Sequence, residues 1–174
     1  MKKYELTSET KVINGVELHR IKALKSFGDI KKGELGGWIE SEKNLSQDVD
    51  AWVGGNAVVR GNAVVGGNAT VGGGACVYEN ATVGENATVG GDATIGGDAR
   101  VSWKEDYIVF KNWWSSGRYF TWTRSNNKWS VGCFYGSGEE LIAKAYKDSE
   151  KSGREYERVV KYVESIIKEE NNNK

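Results

Sequence analysis

Residues 103–135 carry the groups best suited to holding a small ligand. Eleven aromatic residues stand there: Trp103, Tyr107, Phe110, Trp113, Trp114, Tyr119, Phe120, Trp122, Trp129, Phe134 and Tyr135. Lys104, Lys111, Arg118, Arg124 and Lys128 are set among them. Aromatic faces beside cations can stack a purine base and clamp its phosphates. On this pattern the candidate ligand-binding residues are Lys104, Lys111, Trp113, Trp114, Arg118, Phe120, Trp122 and Arg124. The competing use for the same rings is the core of a small sheet, which needs bulky side chains. Alternate residues of a strand share a face, so Arg118, Phe120 and Trp122 fall on one side and Tyr119 and Thr121 on the other. One face can then pack while the other stays open.

Groups for covalent or acid–base chemistry are sparse. The chain has one histidine, His19, and a lone strand histidine is more often structural than a catalytic base. The two cysteines, Cys76 and Cys133, lie far apart with no CxxC partner, which reads as two reduced thiols of a cytosolic protein. There is no phosphate-binding loop and no Cys/His metal spacing, so no catalytic residue, metal or cofactor is expected. Hydrolysis by Asp, Glu or Lys side chains stays open at this stage.

The elements that must position the aromatic segment begin with an internal repeat. Alanine recurs every six residues from Ala51 to Ala99, each followed two residues later by an aliphatic, from Val53 to Val101, over nine units without a slip. Each alanine and aliphatic pair shares a strand face, and Gly/Asn/Asp clusters such as Gly54-Gly55-Asn56 tolerate the sharp turns between units. One coil cannot bury its apolar face alone, but a stack can. The 23 glycines of the chain are concentrated in these units, which hold 13 of them.

Units such as Val65-Gly66-Gly67-Asn68-Ala69-Thr70 and Ile95-Gly96-Gly97-Asp98-Ala99-Arg100 resemble the hexapeptide pattern of left-handed parallel β-helix proteins. The resemblance implies the left hand, three units per coil and so about three to four coils. With three units per coil, every eighteenth residue stacks. The outward rows become Trp52, Thr70 and Thr88; Val58, Cys76 and Thr94; and Val64, Thr82 and Arg100. These small or β-branched residues point to at least one covered face, and proteins of this resemblance usually form trimers about a threefold axis. Acyltransferases of the fold use a histidine base and its carbonic anhydrases several zinc-binding histidines, whereas His19 lies outside the coils. The stretches LGGWIESEKNLS (35–46) and DAWV (50–53), with KNWWSSGRYFTWT (111–123) and VGCFYG (131–136), resemble phage and prophage hexapeptide proteins often labelled polymer-forming or cytoskeletal-like.

The expected fold is mainly β: an N-terminal hairpin (1–32), the β-helix (33–102), an aromatic meander cap (103–136), C-terminal helices (137–170) and a disordered tail (171–174). Asn14-Gly15 between alternating apolar residues marks the hairpin turn. Residues 33–46 read as an atypical first coil, with Leu35, Trp38, Ile39 and Leu45 sealing the open end. The meander is expected to have three strands, turning at Ser115-Ser116-Gly117 and Ser125-Asn126-Asn127. Ser137-Gly138-Glu139-Glu140 resembles a capping box that opens a helix through Ser149, with Gly153 as the break before a second helix from about Arg154.

A formal charge of zero, from 24 basic and 24 acidic residues, gives no long-range field to draw in nucleic acid. No apolar run approaches the roughly 18 residues of a membrane span, and Met1-Lys2-Lys3 begins no signal-peptide core. Together these readings lead to a non-enzymatic, cytoplasmic homotrimer of an infected bacterial host. Clefts between subunits would sequester a small anionic, nucleotide-derived ligand, a host immune signal. The alternative is a structural module docking a virion or host protein.

Overall fold

The computed structural model describes residues 2–173. Alternating apolar and polar residues build the first hairpin, β1 (Tyr4–Ile13) and β2 (Val16–Ala23), joined at Asn14-Gly15 with both residues at positive φ, as that turn requires. The hairpin runs antiparallel onto β3 (Leu35–Ile39), the first strand of the coil stack. The hexapeptides follow as two-residue strands. β4 (Trp52–Val53), β5 (Val58–Val59) and β6 (Val64–Val65) form one coil. β7 (Thr70–Val71), β8 (Cys76–Val77) and β9 (Thr82–Val83) form the next. β10 (Thr88–Val89), β11 (Thr94–Ile95) and β12 (Arg100–Val101) form the last.

Parallel stacking gives three faces: β4-β7-β10, β6-β9-β12, and a longer sheet in the order β1-β2-β3-β5-β8-β11. The solenoid therefore has about four turns. The first is the atypical coil, in which Trp38 pairs with Val58 and Leu45 bridges Val65. Ladder bonds such as Trp52 N–H to Ala69 C=O (2.9 Å) tie each coil to the next. Every repeat alanine and aliphatic is fully or almost fully buried, while outward residues such as Thr70 and Thr82 are exposed. Of the predicted sealing residues, Trp38, Ile39 and Leu45 are buried and Leu35 is exposed.

The covered face expected from the outward rows is the one carrying Val58, Cys76 and Thr94, and it is covered within the chain. Leu18, with Ile13 and Val16, packs over Trp38, Val58 and Cys76. At the other end the aromatic segment caps the last coil: the Thr94 N–H donates to Thr121 Oγ1 at 2.9 Å, the Arg100 N–H to Ser125 Oγ at 2.7 Å and the Tyr107 hydroxyl to the Thr88 carbonyl at 3.0 Å.

The aromatic segment forms four strands rather than three: β13 (Tyr107–Lys111), β14 (Tyr119–Thr123), β15 (Lys128–Val131) and β16 (Phe134–Gly136). The third predicted run splits because Gly132 turns at φ +57°, returning Val131 onto Phe134. Two helices close the chain. Ser137 caps α1 (Gly138–Asp148), with the Glu140 N–H donating to Ser137 Oγ and the Ser137 N–H to the Glu140 carboxylate. Ser149 then caps α2 (Glu150–Asn172), so the break falls at Ser149 and Gly153 lies inside α2. Gly153 is buried against the Tyr146 ring, where a side chain would collide, so it permits close helix contact instead of ending a helix. The predicted tail is helical through Asn172, and its last residue, Lys174, lies outside the described residues, as does Met1.

Candidate functional site

The meander is a layer between two partners. Tyr107 and Val109 pack against the solenoid core, and Thr121 and the buried Ser130 also sit on that side. Phe120, Trp122 and Trp129 form a second core with Trp114 and, from the helices, Leu141, Ala145, Tyr156, Val160 and Val163. The strand alternation read from the sequence is thus realised, but both faces are packed.

That packing leaves an open cleft of about 530 Å³ at one edge, where the 112–118 loop, the β15–β16 hairpin and α1 meet. The loop contributes Asn112, Ser115, Ser116 and Arg118; the hairpin contributes Val131, Cys133, Phe134 and Tyr135. The helices add Leu141, Lys144, Ala145 and Asp148, spaced to share one face of α1, and Ser152 and Tyr156 of α2. The size suits a drug- or nucleotide-sized molecule, and apolar walls with a few convergent polar groups are the usual character of a ligand site.

The loop that presents Arg118 is held from both sides. The Asn112 N–H donates to the Arg118 carbonyl and the Gly117 N–H to the Asn112 carbonyl, each at 2.8 Å. The Asn112 side-chain amide donates to the Tyr156 hydroxyl at 3.0 Å, pinning the loop to α2. Burial raises the Tyr156 hydroxyl above the ordinary tyrosine range, so it stays protonated at neutral pH. Arg118 and Lys144 are both exposed at the cleft, and neither has an acidic side chain within ion-pair distance among the described residues. Two free cations beside Phe134, Tyr135 and Tyr156 can take a phosphate and a flat ring together. Asp148 adds an acceptor, which favours a ligand that carries hydrogen-bond donors besides its negative charge.

Of the eight residues singled out from the sequence, Arg118 alone lines this cleft. Phe120 and Trp122 are each 1 % exposed and belong to the core; the Trp122 indole N–H donates to Asn127 Oδ1 at 2.8 Å. Trp114 is buried edge-on against Tyr156, with ring centroids 5.0 Å apart. Arg124 is a strut: it pairs with Glu170 of α2, donates to the Glu105 carbonyl at 3.1 Å and lies over the Trp122 ring. Lys111 sits over Tyr119, Lys104 beside Glu105, and Trp113 stands 72 % exposed outside the cleft. The cleft also lies within one chain, whereas the sequence reading placed clefts between subunits. Nothing in the chain marks Lys144, Asn112 or Tyr156: a lone helix lysine has no distinguishing spacing, and Tyr156 stands at helical spacing from Val159, Val160 and Val163, as a core residue would.

His19 is partly exposed on β2, its Nε2 3.6 Å from Glu17, away from the cleft. Both cysteines are free. Among the described residues no cluster of three or more His, Cys, Asp or Glu could hold a metal ion, and no helix is long and apolar enough to cross a membrane. Comparison with protein-family models and with curated proteins returns no match, so the site is read on its own chemistry.

Proposed function

We propose that the chain is a non-enzymatic binding protein that sequesters a small anionic, nucleotide-derived ligand in the cleft between the meander and α1. The observation that carries this reading is the pair of unneutralised cations, Arg118 and Lys144, facing aromatic walls in a cavity of about 530 Å³. A phosphate on the two cations, with a base against Tyr135, Phe134 or Tyr156, uses the charges and the rings of the cleft, and Asp148 can accept from the ligand's donors. The resemblance to phage and prophage hexapeptide proteins supports a counter-defence role, in which a host immune signal is held out of circulation in the bacterial cytoplasm. A homotrimer would use the two solenoid faces that the hairpin and meander leave open, those of Thr70 and Thr88 and of Thr82 and Arg100.

The test is titration with cyclic nucleotides and ADP-ribose. Arg118→Ala and Lys144→Ala should each weaken binding by tenfold or more while the melting temperature stays near that of the parent. Undiminished affinity in both variants would overturn the assignment. A second reading, a module that docks a virion or host protein, is favoured by Trp103 and Trp113, which stand 52 % and 72 % exposed. A stable protein complex lost on Trp113→Ala, with no nucleotide bound, would favour it.

A further inference from the structure

The repeat serves as its own alignment. Inside the stack the residue after an inward aliphatic is glycine at positions 54, 66, 72, 84, 90 and 96, but arginine at 60 and tyrosine at 78; after the last aliphatic the chain leaves the stack through Ser102. The two exceptions are 18 residues apart and stack on successive coils at one corner, because β5 pairs with β8 in register. Arg60 lies over the Tyr78 ring, 5.3 Å from its centroid. Below them Gly96 has no room for a side chain against Tyr78. A scaffold that needs only a turn there has placed a cation on an aromatic ring instead.

The surroundings supply more donors than acceptors. From the hairpin, Lys11 sits over the Trp38 ring at 4.3 Å, and the Arg60 and Lys11 charges both act on the Cys76 thiol between them. Cys76 is only partly covered, at the step between the hairpin and the meander. Neither Lys11 nor Arg60 has an acidic side chain within ion-pair distance among the described residues. The nearby acids are committed elsewhere: Glu40 accepts from the Gly61 N–H at 2.6 Å and Glu79 from the Gly97 N–H at 2.7 Å. Arg20 is likewise engaged, with the Gly36 carbonyl and Glu9. Two of the three buried side-chain donors without a partner among the described residues are here, Arg60 Nε and the indole Nε1 of Trp38, itself 7 % exposed. Unpaired buried donors are costly and rare, so two beside two free cations call for an acceptor-only partner.

We propose that Lys11, Arg60 and Trp38 form a second site, on the solenoid face beside Cys76, that binds a small oxyanion the size of a single phosphate. A tetrahedral oxyanion is rich in acceptors, which is what this cluster of cations and unpaired donors lacks.

The experiment uses the full chain carrying Arg118→Ala and Lys144→Ala, which removes the cations of the other cleft, titrated calorimetrically with inorganic phosphate. Saturable binding should persist in this background and fall at least tenfold on adding Arg60→Gly or Lys11→Gln. Arg60→Gly restores the repeat's own residue at that corner, and Lys11→Gln removes the charge of a partly exposed strand residue while keeping a long polar side chain, so circular dichroism should show both folded. Phosphate binding by the parent chain but not by the double variant would confine anions to the cleft and overturn the second site, leaving the proposed function intact. Binding that Arg60→Gly and Lys11→Gln leave unchanged would also overturn it. So would the absence of phosphate binding combined with a changed sedimentation coefficient in Arg60→Gly, which would mean that a second copy meets these cations.

Discussion

Phe120, Trp122 and Arg118 alternate on one short stretch, yet they have different fates. Phe120 and Trp122 close the core against the helices, and Arg118, at the strand's mouth, meets solvent and the cleft. Trp122→Ala should therefore destabilise the fold by about 3–5 kcal/mol, the usual cost of deleting a buried aromatic, as read by denaturant unfolding. Arg118→Ala should leave stability within about 0.5 kcal/mol, as exposed substitutions do. Residue types alone could not separate the two, since both pack-and-bind readings need aromatics beside cations. Nothing in the sequence distinguishes Lys3 from Lys2, but the Lys3 side chain is fully buried and donates to the carbonyls of Ala51, Val49 and Asp48 at 2.7, 3.1 and 3.5 Å. Burial pulls its pKa from 10.5 to about 8, with Lys25 adding to the shift and Asp50 and Asp48 opposing it. The unfolded chain then holds this proton to higher pH than the folded one, so the group adds stability as pH rises from 8 towards 10.5. Above about pH 10 the neighbouring Tyr4, which burial pushes up, works in the opposite sense. Between pH 8 and 10, Lys3→Met should remove a slope of up to about 1.4 kcal/mol per pH unit, measured by denaturant unfolding across that range.

Elements with strict periodicity were readable from the chain. The Asn14-Gly15 hairpin, the Ser137 cap and the period of six each tie one residue type to one backbone requirement, and each appears where expected. The misread elements turn on tertiary contact. Gly153 looks like a breaker because glycine disfavours helix interiors, yet the Tyr146 ring occupies the space its side chain would need. Gly153→Val should push α1 from α2 and lower the melting temperature, whereas Ser137→Ala should cost about 1 kcal/mol, the loss of one cap. An order reversed from this, read in thermal melts of both variants, would contradict the assignment of Gly153 to packing. The cleft belongs to this scale too. Arg118, Lys144 and Tyr156 come from a loop and two helices, and no spacing along the chain announces that they meet.

At the scale of the molecule, the solenoid is a spacer with a fixed register. The hairpin covers one face and the meander caps the last coil, and whole coils separate Val58 from Cys76 and Cys76 from Thr94, so their relative rotation is fixed. Duplicating residues 66–83, one full coil, should give a chain that still folds cooperatively, as stacked repeats allow. Inserting a single copy of residues 66–71 rotates the meander relative to the hairpin and should lose the Val58–Cys76 pairing, the hairpin's contact with Cys76 and much of the cooperativity in thermal unfolding. The account rests most heavily on the cleft, and heat release followed by mass spectrometry tests it most directly. The purified parent chain and the Arg118→Ala, Lys144→Ala variant would each be incubated with cyclic nucleotides and ADP-ribose, washed and denatured. The account predicts that one of these compounds is recovered intact from the parent, only after denaturation, and not from the variant. Recovery of a converted product, or equal recovery from both proteins, would contradict it.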